Sequence, residues 1–116
     1  MAMNGLKIDV RDTPEGLVCI DLAGYLDAHT HGKLEDALEK GFGNGRYRYI
    51  VDVNKLEYIS SAGAGVFIGA ASTCQEHGGN IVLVNPTPAV REIFELLGVL
   101  QLFPVVKELE QAVASF

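Results

Sequence analysis

The chain has 116 residues, 48% hydrophobic and 21% charged, which suits one packed domain and excludes a two-domain enzyme or a disordered chain. Fifteen acidic against nine basic residues give a formal charge of −6, which argues against a nucleic-acid-binding surface. No basic and apolar leader is visible, and no apolar stretch is long enough to span a bilayer. We therefore expect a cytoplasmic protein that does not insert into membranes.

The first two predicted strands lie near the amino terminus. Apolar and polar residues alternate through residues 6–11, which is the period of a half-buried strand. A turn at residues 12–16 precedes a more apolar run at residues 17–24, so the two strands are predicted to pair antiparallel. Asp27 is placed to cap a first helix, whose apolar residues recur at helical spacing before the glycines at 41, 43 and 45.

The middle of the chain predicts another strand and helix. Residues 49–53 are apolar enough for a third strand, and residues 54–59 are predicted to form a loop. A second helix is expected to begin near Ser60 and Ser61 and to stop at residues 77–79, His-Gly-Gly.

The remaining elements alternate in the same way. The wholly apolar residues 81–84 are typical of a strand covered on both faces. Thr87 and Pro88 resemble the cap and first position of a third helix. Residues 102–103 are predicted to form a stub of strand, and Pro104 to begin a fourth helix. This order predicts an α/β fold with a mixed sheet of four to five strands, an antiparallel N-terminal strand and about four helices.

The start of the second helix has an unusual composition. Gly63 and Gly65 each cost about 0.5–1 kcal/mol relative to alanine inside a helix, so another requirement must favour them. One explanation is close packing of helix on sheet, aided by Gly69, and the other is close approach of a ligand or partner to the backbone. Ser60 and Ser61 have two interpretations as well, because serine is a favoured N-cap and its hydroxyl can also have a functional role.

Other kinds of site fit the sequence poorly. The glycines of the second helix match neither a dinucleotide-binding motif nor a P-loop, and no glycine precedes the serines as in a nucleophile elbow. His29 and His31 cannot share one helical face and have no obvious third ligand. Cys19 and Cys74 form no CxxC pair and are expected to be buried, reduced thiols. We expect no catalytic residues, no metal and no cofactor.

Several segments, in order, resemble the STAS family (sulfate transporter and anti-sigma factor antagonist domains). Residues 17–27, LVCIDLAGYLD, are similar to a strand followed by Gly-x-Leu-Asp in that family. Residues 50–66 resemble its central signature, and residues 79–84 and 90–98 are similar to its later segments. The resemblance covers nearly the whole chain and implies one STAS domain at residues 1–116.

The resemblance also implies a function. Stand-alone members of the family are bacterial phosphoproteins that bind an anti-sigma factor, which is also a serine kinase, and thereby free its sigma factor. The kinase inactivates them at a serine in an Asp-Ser-(Ser/Thr)-Gly-Leu-Gly segment. Matching residues 63–66 to Gly-Leu-Gly-Val makes Ser61 the phosphoacceptor, with Ser60 as the second candidate. Ser60 stands where the family often has aspartate, and Ala62 where it has serine or threonine.

These matches define an expected switch and its partners. Asp27 corresponds to the acidic residue that closes the second strand, near the phosphorylation loop of the family fold. A phosphate on Ser61 adds about −1.5 to −2 charges to the surface and would displace a partner packed there. A serine phosphatase is the expected second partner, after the anti-sigma factor kinase. The predicted partner-binding residues are Asp27, Ser60, Ser61, Ala62, Gly63 and Ala64.

An alternative of another class keeps the fold but removes the switch. The domain would then be a structural subunit of a stressosome-like assembly or a membrane lipid-transport complex, and Ser61 would never be phosphorylated. The apolar residues 99–103 would be the place to look for a permanent contact, although the same residues also fit the core of the domain.

Overall fold

A computed structural model describes residues 5–116. The elements in chain order are β1 (Leu6–Asp12), β2 (Val18–Leu26), α1 (His31–Gly43), β3 (Arg48–Ile59), α2 (Ser61–Glu76), β4 (Asn80–Val84), α3 (Pro88–Leu96), a 3₁₀ turn (Val99–Gln101), β5 (Val105–Val106) and α4 (Leu109–Ala114). The strands form one sheet in the order β1-β2-β3-β4-β5, with β1 antiparallel to β2 and the other pairs parallel. The predicted mixed α/β fold is confirmed.

The helices cover the two faces of the sheet unequally. α1, α2 and α3 pack on one face, where alternate strand residues such as Ile20, Leu22 and Val51 are buried. α4 packs on the other face, over a smaller cluster that includes Ile50 and Val82. Residues 81–84 of β4 are therefore buried on both faces, which explains their unbroken apolar sequence.

β3 is longer than predicted, and the expected loop at residues 54–59 is wrong. β3 continues to Ile59 and pairs with β2 throughout, but two bulges each insert one extra β3 residue into the pairing. Val53, Leu56 and Ile59 are consequently buried at intervals of three. Each bulge interrupts the alternation of buried and exposed residues along β3. A search for a repeat of two residues therefore does not detect the second half of this strand.

The carboxyl-terminal elements also differ from the prediction. The expected strand at residues 102–103 and the expected helix from Pro104 are both wrong. β5 is Val105–Val106, which pairs with β4, and α4 begins only at Leu109. Proline is compatible with the start of a helix and also with the edge of a sheet, so Pro104 by itself does not distinguish them.

The cap of α3 and the two thiols agree with the predictions from sequence. The side chain of Thr87 accepts a hydrogen bond from the Val90 amide at 3.3 Å, and Pro88 is the first residue of α3. Cys19 and Cys74 are buried and unpaired, as predicted. Among residues 5–116, no helix is long and apolar enough to cross a membrane.

Candidate functional site

β2 and β3 end side by side, and the predicted site lies where they end. Leu26 is paired with Ile59, and the Ser60 amide donates to the Leu26 carbonyl at 2.9 Å. Because the strands are parallel, the residues that follow them emerge at the same edge of the sheet. Asp27 and Ser60, which are distant in sequence, are therefore brought to one edge.

Ser60 and Ser61 have different roles at the start of α2. Ser60 is the N-cap: its backbone is extended, and its Oγ accepts a hydrogen bond from the Gly63 amide at 3.1 Å. The capping interpretation is therefore confirmed for Ser60, which is half-buried. Ser61 is the first helical residue and is exposed, and its hydroxyl forms no hydrogen bond with any other of residues 5–116.

Close packing explains one glycine of α2 and not the others. A Cβ on Gly63 would lie 2.7 Å from the Leu26 carbonyl oxygen and 2.8 Å from Leu26 Cγ, so only glycine lets the helix approach β2 this closely. Gly65 and Gly69 are exposed, and a Cβ on either would meet nothing within 4 Å. The packing explanation is correct for Gly63 and wrong for Gly65 and Gly69.

Only some of the predicted partner-binding residues are exposed at this site. Gly63 and Ala64, which belong to the predicted set, are buried in the first turn of α2. At Gly63 the first turn of α2 lies directly on the end of β2. The exposed residues of the turn are Ser61, Ala62 and Gly65.

Asp27 stabilises a turn before α1 and is not the N-cap of that helix. Its Oδ1 accepts hydrogen bonds from the amides of His29 at 2.9 Å and Thr30 at 3.1 Å. The hydrogen bond from the His29 amide, together with those from Thr30, lowers the pKa of Asp27 below its usual value. α1 begins at His31, with Thr30 in the N-cap position, because this turn takes up the intervening residues.

The two histidines near α1 have different environments. His31 Nδ1 lies 3.0 Å from a carboxylate oxygen of Glu35, one helical turn away, whereas His29 is exposed. Within the part of the chain that the structure describes, no three His, Cys, Asp or Glu side chains converge as metal ligands would.

Residues 99–103 belong mainly to the core. Val99 and Phe103 are buried, and the Phe103 ring packs near Phe94 with ring centroids 6.2 Å apart. Within this segment Leu102 is 46% exposed, and sequence reasoning missed the exposed Leu96 just before it, which is 75% exposed. The helical pattern of α3 could have indicated Leu96, because Leu96 lies outside the stripe formed by Val90 and Phe94.

Comparisons with a family model and with a related sequence point to the same family, and solved structures share the fold. The family model for the STAS domain matches residues 8–112. The protein BtrV of Bordetella bronchiseptica, whose name assigns it provisionally as an anti-sigma factor antagonist, is 35% identical over 105 residues, which are 90% of each chain. A crystal structure of an anti-sigma factor antagonist from Mycobacterium paratuberculosis aligns with a TM-score of 0.88 at 22% identity, covering 98% of this chain and 96% of that one.

A further solved relative is known in two states. The Bacillus protein SpoIIAA aligns in its unphosphorylated form with a TM-score of 0.81 at 22% identity, covering 94% of this chain and 95% of that one. Its phosphorylated form aligns with a TM-score of 0.74 at 23% identity, covering 94% and 98%. At these identities the structural alignments establish a shared fold.

Proposed function

Because the chain belongs to the STAS domain family, we propose that it is an anti-sigma factor antagonist in a bacterial partner-switching system. The name of the 35% identical relative BtrV supports this function. The observation that carries the proposal is the exposed Ser61 at the first position of α2, beside the turn that Asp27 stabilises. The partner would be an anti-sigma factor that is also a serine kinase, and both would act in the cytoplasm.

The exposed part of the first α2 turn suits close contact with such a partner. Ser61, Ala62 and Gly65 have small side chains or none, so a partner can approach the helix backbone. The first turn contains no acidic residue, and the positive end of the helix dipole lies there. An acidic or hydrogen-bond-accepting group of the partner would be favoured at this position.

Phosphorylation of Ser61 would reverse that preference without unfolding the domain. The kinase would transfer the γ-phosphoryl group of ATP to Ser61 Oγ, releasing ADP and a proton. The phosphate would lie near the amides of the first helical turn, where an anion is stabilised. It adds about −1.5 to −2 charges to the contact surface, which would expel a partner with an acidic group there.

Ser60 is the weaker candidate for the phosphoacceptor. Its Oγ already accepts a hydrogen bond from the Gly63 amide, and its side chain is half-buried. Modifying Ser60 would change the oxygen that caps α2, whereas modifying Ser61 leaves that cap unchanged. The chain itself would be substrate and binding partner rather than catalyst, without a cofactor, and a serine phosphatase would restore the free hydroxyl by hydrolysis.

The test is binding to the purified anti-sigma factor kinase with and without ATP. We expect the unmodified protein to bind without ATP and to be released as phosphate appears on Ser61. Ser61→Ala should remain bound in both conditions, and Ser61→Asp should bind at least about tenfold more weakly. Phosphopeptide mapping identifies the modified residue. Release of Ser61→Ala on addition of ATP, or phosphate found only on Ser60, would contradict the proposal.

A second candidate function is a non-switching structural subunit of a stressosome-like or lipid-transport assembly. The exposed Leu96, Leu97 and Leu102 favour it, because several large apolar side chains exposed within a short stretch of chain are typical of contact surfaces. This candidate predicts no phosphate on Ser61 in cells under any growth or stress condition. It also predicts co-purification with an assembly that Leu96→Lys disrupts and Ser61→Asp does not.

A further inference from the structure

The outer edge of β1 is open. Within residues 5–116, β1 pairs only with β2, so one side of the strand has no neighbouring strand. An edge strand presents backbone N–H and C=O groups that another extended chain can pair with. Val10 belongs to the helix-covered side of the sheet, with Leu6 and Ile8, yet it is 55% exposed.

A groove lies between this edge and α1. It has a volume of about 600 Å³, and its apolar lining includes Ile8, Val10 and Val18. Its inner end is closed by Tyr49, against which α1 packs at Gly41, where a Cβ would collide with the Tyr49 hydroxyl. The groove is therefore bounded by the packed core on one side and open toward the free edge of β1 on the other.

The rim of the groove is basic in a protein with a net charge of −6. Lys33 and Lys40, two helical turns apart on α1, line it together with Arg46. Arg46 is paired with Asp12 at 3.0 Å, but neither lysine forms an ion pair with any other of residues 5–116. The groove thus combines an apolar floor, two lysines without a carboxylate partner in the described chain, and a free strand edge.

We propose that this groove binds an extended acidic segment of a partner protein, which adds a strand to the edge of β1. Main-chain hydrogen bonds to β1 would supply affinity, and alternate side chains of the segment would face the groove. An apolar side chain would lie over Ile8 and Val10, and a carboxylate would reach Lys33 and Lys40. A second copy of this chain is a poorer occupant, because it would place its own Lys33 and Lys40 opposite the same lysines.

None of Ser61, Ala62 and Gly65 lines the groove, and the inference does not rest on the proposed function. The groove-lining end of β1 includes Asp12, which pairs with Val18 at the start of β2. Ser61 comes two residues after Ile59, which pairs with Leu26 at the other end of β2. A partner could occupy the groove whether or not Ser61 carries a phosphate.

The test is an NMR titration of the full ¹⁵N-labelled chain with a synthetic peptide, valine-threonine-glutamate-threonine repeated twice. We expect amide shifts and slowed hydrogen exchange to concentrate in residues 6–12. Lys33→Glu combined with Lys40→Glu should weaken binding by about tenfold or more. The matched control is Lys7→Glu with Lys55→Glu, which makes the same charge change on the opposite face of the sheet and should bind like the unmodified chain.

Several results would overturn the proposal. One is the absence of β1 shifts at about 1 mM peptide, a limit that corresponds to negligible affinity. Others are equal binding of the peptide with lysine in place of glutamate, or unchanged binding by the Lys33 and Lys40 double variant. Equal binding of a peptide with a methylated backbone would show that no strand is added. Concentration-dependent dimers with β1 at their interface would assign the edge to a second copy.

Equal binding of the peptide by Ser61→Asp and by the unmodified chain would support the independence of the groove from the Ser61 surface.

Discussion

Gly63 and Gly65 are two residues apart in one helix, yet their missing side chains have different consequences. Gly63 touches the end of β2, whereas Gly65 faces open space. We expect Gly63→Ala to lower the free energy of unfolding by about 1–3 kcal/mol, because its Cβ would overlap Leu26. Gly65→Ala, the matched control, should raise it by about 0.5–1 kcal/mol by favouring the helix. Urea unfolding measures both, and equal stability of the two variants would contradict this account.

The adjacent serines should separate a structural role from a regulatory one. Ser60→Ala removes the cap on the Gly63 amide and should cost about 1 kcal/mol of unfolding free energy. Ser61→Ala removes an exposed hydroxyl and should leave the stability nearly unchanged while abolishing the proposed phosphorylation. Urea unfolding of both variants provides the comparison. A larger loss in Ser61→Ala than in Ser60→Ala would mean that the cap is assigned to the wrong serine.

The caps of α2 and α3 were predictable at the residue scale because they depend on local sequence, whereas the predicted Asp27 cap of α1 was wrong. Ser60 and Thr87 satisfy amides only three residues away, so their neighbours in the chain are enough to indicate them. Local sequence did not show that Gly63 and Gly65 have different roles. The difference between them is a contact with Leu26, which is distant in sequence and reaches Gly63 only when β2 and β3 pair.

At the scale of whole elements, β3 shows why a strand can escape prediction. Strict alternation ends at Val53, since a bulge follows at once and a second one lies before Tyr58. The two extra residues position the site, because β3 remains paired with β2 up to Leu26 and Ile59, where both strands end. Asp27 and Ser60 then emerge at one edge. Bulges of this kind depend on the partner strand, so the β3 sequence by itself does not specify them.

The turn between β2 and α1 should make stability depend on pH through Asp27. Hydrogen bonds from His29 and Thr30 lower its pKa in the folded state below the usual 3.8. The resulting stabilisation is present above the unfolded-state pKa and is lost as the pH falls through the lower folded-state pKa. Asp27→Asn should therefore be less stable than the unmodified protein near neutral pH, and the difference should shrink below about pH 4.

Urea unfolding at a series of pH values measures this convergence, and NMR of the Asp27 carboxyl group measures its pKa directly. The side-chain amide introduced by Asp27→Asn would keep an oxygen acceptor for the His29 amide, so the variant isolates the charge of the carboxylate. A stability difference that persists unchanged to acid pH would show that the Asp27 charge does not stabilise the turn.

At the scale of the whole molecule, the two cores differ in how well they are covered. Cys74 is a buried residue of α2, a helix of sixteen residues, and belongs to the larger core. Cys19 lies on the opposite face, in the cluster covered by the six-residue α4, whose single buried residue is Ala112. Burial raises the pKa of both thiols, that of Cys74 to about 11, so neither is reactive while it remains covered.

The prediction is that Cys19 reacts with iodoacetamide faster than Cys74 in the native protein. A short helix with few buried contacts opens at a lower free energy than the main core. Mass spectrometry of the alkylated peptides at slightly alkaline pH gives the two rates. Cys74→Ser leaves Cys19 as the only thiol and checks its rate separately. Equal rates, both rising only when urea unfolds the whole domain, would show that α4 does not open independently.

Sequence alone was sufficient for the class of fold, the order of most elements, the caps of α2 and α3, and the absence of a dinucleotide-binding or P-loop motif. Those features depend on hydrophobic periodicity and on contacts between residues close in the chain, which are visible without a partner strand. Tertiary structure decided the length of β3, the position of β5, the burial of Gly63 and Ala64, and the open edge of β1. Each of these depends on which distant segment lies alongside, and burial against a distant segment leaves no periodic pattern in the sequence.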